Sequence, residues 1–145
     1  MYRKILVPLD GSKTAEGVLP HAKALAYSEG AELVLLTVTA NPALDYAFSD
    51  PGLAQRAEED QEERSKKYMA EVEKQLTAAG FKVSTLLRVG EVADVILTAA
   101  EEMQVDVIAM STHGRTGPAR WLLGSVAERV VRNSKVPVML IRAKG

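Results

Sequence analysis

Three short segments carry the residue types that chemistry needs. Ser111-Thr112-His113-Gly114-Arg115-Thr116-Gly117 sets small residues and glycines beside an imidazole and a fixed positive charge. Glycines let a backbone approach a ligand closely and present its N–H groups. Further on, Gly124-Ser125-Val126-Ala127-Glu128 places Ser-x-x-Glu ahead of an apolar stripe, the signature of a capping box, and predicts a helix N-terminus at Ser125. The first N–H groups of such a helix and the positive end of its dipole suit an anion, and Gly124 removes the side chain that would block approach. The third segment is Pro8-Leu9-Asp10-Gly11-Ser12. Asp10 stands where a strand-end carboxylate can reach a ribose hydroxyl or a metal; the plainer reading is an Asp-Gly turn, with Ser12 or Thr14 capping the next helix. A Gly-rich basic loop that returns to an open helix end is most simply a phosphate site.

Several chemistries are excluded. The chain has no cysteine, hence no disulfide, no thiolate zinc site and no thiol nucleophile, and only two histidines, His21 and His113. His21 is expected on a helix surface with no role. No GxxxxGK[ST] occurs, since Gly11-Ser12-Lys13-Thr14 has the wrong order, and there is no GxGxxG after a strand and no GxSxG elbow. Ser125, His113 and Asp10 could be drawn as a triad, but Ser125 is better explained as a helix cap, and no acidic pair or base is placed for attack at phosphorus.

These segments need elements to hold them. At 145 residues, 47% of them apolar, the chain suits one domain over 1–145 with a core of its own. Five short apolar runs stand out: Ile5–Val7, Leu33–Val38, Val83–Leu87, Val105–Met110 and Val136–Ile141. Stretches of helical period separate them: Val18, Ala22, Leu25 and Ala26; Tyr68, Val72, Leu76 and Ala79; Val92, Val95, Ile96 and Ala99; then Leu122, Leu123, Val126, Ala127, Val130 and Val131. This alternation predicts an α/β fold, an open parallel sheet with helices on both faces. Ligands of such sheets bind outside the carboxyl ends of the strands, where the strand order reverses.

The charge run Arg56–Lys67 is expected as a solvated helix face, with Glu62/Lys66 and Glu63/Lys67 as i,i+4 pairs. The helix that carries it should begin after Pro51-Gly52, and Asn41–Gly52 is expected as a long loop and candidate lid. Trp121 is expected in packing, and Pro137 favours an edge strand or a strand start. No apolar run approaches a membrane span and no leader is evident, so a cytoplasmic protein is expected. The formal net charge is −1, which argues against nucleic acid or membrane as partner. Yet residues 110–145 hold seven Lys/Arg and one acid, so the phosphate-like motif lies in a locally positive segment.

Met110-Ser111-Thr112-His113-Gly114-Arg115-Thr116-Gly117, followed by Gly124-Ser125, resembles the ATP-binding pattern G-x-x-G-(nine)-G-[ST] of universal stress proteins, with Ser111 at the place of the first glycine. The resemblance covers the whole chain. It includes Ile5 to Ser12, Leu35 to Val38, Gly90 to Ile96 and Val136 to Ile141. It implies a five-stranded sheet of order 3-2-1-4-5, Rossmann-like in the adenine nucleotide α-hydrolase manner, and a homodimer through the fifth strand. It also implies an ATP-binding stress-response module, with Mg²⁺ on the phosphates, rather than a dedicated enzyme. Pro8, Leu9 and Asp10 would line the adenosine, with Asp10 near the ribose or a phosphate-bound Mg²⁺. Val38 would offer backbone to the adenine edge and Met110 would pack on base or ribose. Ser111, His113, Gly114 and Arg115 would wrap the phosphates, which Gly124, Ser125 and Val126 would bind through N–H groups and the Ser125 hydroxyl. Two alternatives stay open: a nucleotide-free dimeric interaction protein, favoured by Ser111, and a slow ATP hydrolase.

Overall fold

The structure, a computed structural model, describes residues 1–39, 50–113 and 123–142. Its elements in chain order are β1 (Lys4–Pro8), α1 (Lys13–Glu16), α2 (Leu19–Glu29), β2 (Glu32–Thr39) and α3 (Pro51–Ala78). Then come β3 (Val83–Val89), α4 (Val92–Glu102), β4 (Val107–Ser111), α5 (Ser125–Asn133) and β5 (Val138–Ile141). All strand pairs are parallel, and the order across the sheet is β3-β2-β1-β4-β5. The fold class and strand order expected from the sequence are those observed.

Strand alternation divides the core in two. Ile5, Val7, Leu33 and Leu35 face one side, where they pack with Val18, Ala22 and Ala26 near α2 and with Met69, Val72 and Leu76 of α3. Leu6, Val34 and Leu36 face the other side, against Ala93, Ile96 and Ala99 of α4 and Ala127 and Val130 of α5. Both faces of β1 and β2 are therefore covered, as their largely apolar runs require. Asp106 fastens the amino edge: its carboxylate accepts the Arg3 and Lys4 N–H groups at 2.7 and 2.9 Å. Those two bonds hold the Asp106 carboxyl below the usual carboxylate range.

Several boundaries differ from the sequence expectation. The long helix begins at Pro51 itself, because the Asp50 carboxylate accepts the Gly52 N–H at 2.8 Å and proline suits the first helical position. The proposed Asn41–Gly52 loop therefore loses its last two residues to α3, and positions 41–49 lie outside the described residues. The capping box does not form. Gly124 is the N-cap of α5, Ser125 is its first helical residue, and Glu128 pairs with Arg132 at 2.8 Å.

The stripe through Leu123 and Val131 is also broken. Ala127 and Val130 are buried, but Leu123 and Val131 are 37% and 43% exposed, since α5 packs a narrow arc near the sheet edge. Ala79 follows the end of its helix and is exposed. Pro137 directly precedes β5, an edge strand whose four residues are all part-buried. His21 is exposed on α2, and Glu62–Lys66 and Glu63–Lys67 pair at 3.0 and 3.4 Å. Among the described residues no helix is long and apolar enough to cross a membrane. Trp121 lies outside the described residues.

Candidate functional site

The chain reverses its winding at β1. The next strand in sequence lies on one side of it and β4 on the other, so the carboxyl ends of β1 and β4 diverge. A cleft of about 970 Å³ opens there. Ten of the twelve binding residues expected from the sequence line it: Pro8, Leu9 and Asp10 after β1, Val38 on β2, Met110, Ser111 and His113 at the end of β4, and Gly124, Ser125 and Val126 at the start of α5. Gly114 and Arg115 lie outside the described residues.

Each segment is placed for a local reason. Gly11 has φ +87°, a conformation that favours glycine, and it turns the chain out of β1. Asp10 Oδ1 then accepts both the Ser12 N–H at 2.9 Å and the Ser12 hydroxyl at 2.5 Å, while Ser12 Oγ accepts the Ala15 N–H at 3.1 Å and caps α1. The plain turn-and-cap reading of this segment is thus present, and it also fixes the Asp10 carboxylate on the cleft wall.

Gly124 sits where a side chain has no room. Its N–H donates to the Thr112 carbonyl at 2.7 Å, and a Cβ on it would lie 2.9 Å from that oxygen and 3.6 Å from His113 Cα. This close approach brings the start of α5 against the end of β4. Among the described residues no side chain caps the helix, and its first residues line the cleft. Ser125 is not spent on capping, contrary to the expectation above. Arg129 anchors the helix from behind, reaching Asp94 at 2.9 Å and Glu91 at 3.4 Å on the first turn of α4. Glu91 accepts the Asp94 and Ala93 N–H groups as well. The Asp94 bond first, then the Ala93 bond and the Arg129 charge, hold its carboxyl below the usual range.

The β2 side offers backbone. Even-numbered residues of β2 turn their polar groups toward β1, as the Glu32 N–H to Arg3 and Leu9 N–H to Leu36 bonds show. The Leu9–Leu36 bond, at 2.8 Å, is the last rung between them. Val38 is the next residue with that orientation, and it stands past the point where β1 has turned away.

Sequence reasoning missed one wall. Gln61, Arg64, Ser65 and Tyr68 of α3 line the cleft, together with Thr37 and Thr39 of β2. Part of the charge run taken for a solvated face is therefore cleft lining. The signal was the spacing i, i+3, i+4, i+7, which puts these four residues on one face of the helix. The Tyr68 hydroxyl donates to Glu16 at 2.9 Å; burial above all, then the Glu16 carboxylate, raises its phenol beyond the usual range and keeps it protonated. The Thr37 hydroxyl is buried with no hydrogen-bond partner. Among the described residues no group of three or more His, Cys, Asp or Glu is placed to hold a metal ion by itself. A metal at Asp10 would take its other ligands from groups such as water or a bound anion.

The description "Universal stress protein family" belongs to the family model that matches residues 1–142. A universal stress protein of Methanocaldococcus jannaschii is 35% identical over 157 residues, covering 99% of this chain and 97% of the relative. A solved structure of a hypothetical protein has a TM-score of 0.90 at 35% identity and covers 100% of this chain and 99% of its own. A universal stress protein solved in complex with cAMP shares the fold at a TM-score of 0.64 and 24% identity, with 99% and 98% coverage. An Arabidopsis thaliana family protein with AMP bound does so at 0.71 and 15%, with 99% and 93% coverage.

Proposed function

The chain belongs to the universal stress protein family, and from that premise we propose that it binds an adenine nucleotide, ATP, in the cleft at the carboxyl ends of β1 and β4. The observation that carries the reading is the start of α5, capped by no side chain among the described residues and brought against β4 by a glycine that has no room for a side chain. Phosphate oxygens fit such an end: N–H donors and the helix dipole point at them, and the Ser125 hydroxyl adds a donor. Ser111, His113, Gly114 and Arg115 complete the phosphate wrap. Pro8 and Leu9 line the adenosine, Met110 packs on the base or ribose, and the Val38 backbone meets the adenine edge. Asp10 holds the ribose, or a Mg²⁺ carried in by the phosphates. Nucleotides in family relatives support this choice of ligand: one was solved with cAMP and another with AMP.

The role is that of a stress-response module whose ligand reports or sets its state, in the cytoplasm, as a homodimer joined through the β5 edge. The protein acts by binding and is not a dedicated catalyst; slow hydrolysis of ATP is compatible with that role. The test is direct. Protein purified without added nucleotide is denatured and its supernatant run on an anion-exchange column. A stoichiometric adenine nucleotide peak is expected. An empty supernatant, joined to no heat on titration with ATP in Mg²⁺, contradicts the reading. It would favour the nucleotide-free interaction protein, for which Ser111 at the first glycine position speaks.

A further inference from the structure

The cleft has two lobes of different chemistry. Toward α5 it offers backbone N–H groups at a helix start, suited to an anion. Toward α3 it offers hydrogen-bonding side chains: Gln61, Ser65 and Tyr68 on the helix with the cationic Arg64 among them, and Thr37 on the strand beneath. The α3 lobe follows from lengths. A helix of 28 residues runs about 42 Å, while the eight residues of β2 span about 27 Å. The carboxyl-terminal half of α3 packs on the sheet through Met69, Val72 and Leu76. Its earlier turns overhang the carboxyl edge, where the face 61, 64, 65, 68 meets the cleft.

Two observations give this lobe a ligand rather than solvent alone. Thr37 lies in the strand register of Leu33 and Leu35, on the α3 side, and its hydroxyl is buried and unpartnered while the residue lines the cleft. Buried hydroxyls are almost always satisfied, and an orphan at a cleft wall points to a group that arrives there. The Tyr68 hydroxyl donates to Glu16, and its ring packs against the core cluster that includes Leu9. Apolar lining from Leu9 and Ala15, an aromatic ring and hydrogen-bonding side chains suit a planar heterocycle with a polar edge.

We propose that Gln61 and Thr37 select the base of the bound nucleotide, and that they select adenine. This rests on the nucleotide reading above. A nucleotide is anionic at one end and planar with a polar edge at the other; backbone N–H groups at the start of α5 suit the first, and hydrogen-bonding side chains of α3 and β2 suit the second. The two lobes lie on either side of the β1 end, about two strand spacings or ~10 Å apart, leaving the middle for the ribose at Asp10. Gln61 carries both a donor and an acceptor in one amide; on the N7 edge of the base that pair matches the ring nitrogen and amino group of adenine, whereas guanine presents two acceptors there. Thr37 supplies a hydroxyl that can donate or accept.

The experiment is calorimetric titration of the full chain with ATP, GTP and inorganic triphosphate, in wild type, Gln61→Leu and Thr37→Val. Wild type should prefer ATP to GTP. Each variant should lose about tenfold in ATP affinity and narrow the ATP/GTP ratio, while triphosphate binding stays unchanged. Thr37→Val should also melt no lower than wild type without ligand, because it removes an orphan hydroxyl and not a used one. If wild type binds ATP and both variants keep its ATP/GTP ratio, the inference is overturned and the nucleotide reading stands. If wild type binds neither nucleotide, the reading beneath it fails as well. Lower melting of unliganded Thr37→Val with an intact ratio assigns Thr37 to structure and overturns its part.

Discussion

The two lobes of the cleft are built from different material. The α5 lobe is made of backbone: a helix start and a glycine in contact with a carbonyl. The α3 lobe is made of side chains that a helix carries past the edge of the sheet. Backbone sites tolerate few substitutions at the residues that permit close approach, whereas side-chain sites change with one residue and leave the fold intact. The first suits a feature common to all ligands of a class, such as phosphate. The second suits discrimination within the class.

The difference can be broken at its strongest point first. Gly124→Val puts side-chain atoms where even a Cβ lies 2.9 Å from the Thr112 oxygen. The start of α5 must move, so ATP affinity should fall about a hundredfold or more, and triphosphate affinity with it, as both use the same N–H groups. Overpacking at a tight contact should also cost about 1–3 kcal/mol in urea unfolding. Unchanged triphosphate binding in this variant would move the anion site away from α5.

Tyr68→Phe tests the other lobe more gently. It removes the bond to Glu16 and should cost about 0.5–1.5 kcal/mol at neutral pH. The native phenol is raised above its unfolded value, so its contribution is fully present below pH ~10 and is lost as the pH rises beyond it, where only the unfolded chain gives up the proton. Stability curves above pH ~10 should therefore fall for wild type and flatten for the variant.

The smallest effect concerns what holds α5 from behind. Glu91 is held below the usual range, so its contribution is present above about pH 4.3 and is lost as pH falls through the depressed native value. Arg129→Met should reduce that acid loss and lower the melting temperature by a few degrees at most, since both partners of the pair are half exposed. A larger change would mean that the α4–α5 contact depends on this pair more than on Ile96, Ala127 and Val130.

The same division explains what was legible in the sequence. Glycine and serine at fixed spacing encode backbone placement, so the α5 lobe could be read from Gly124-Ser125 and from the resemblance to universal stress proteins. The central strands were legible because both faces of β1 and β2 are covered and their runs are almost wholly apolar. The strand order came from the resemblance, since apolar runs carry no record of their neighbours. The capping box misled because Gly124 takes the cap and leaves Ser125 inside the helix. The α3 lobe stayed hidden because Gln61, Arg64 and Ser65 are polar, and a polar stripe facing a cleft has the same pattern as one facing water. Only the overhang of α3 past β2 distinguishes the two, and that depends on tertiary packing.

The central claim is that an adenine nucleotide occupies this cleft, and thermal unfolding of the full chain across ATP concentrations tests it most directly. A ligand that binds only the native state must stabilise it, by about 2.7 kcal/mol at a hundred times Kd. For a chain of this size the account predicts a midpoint that rises by several degrees and keeps rising with the logarithm of ATP concentration, in wild type and not in Gly124→Val. A midpoint that stays flat up to millimolar ATP, with and without Mg²⁺, would contradict it.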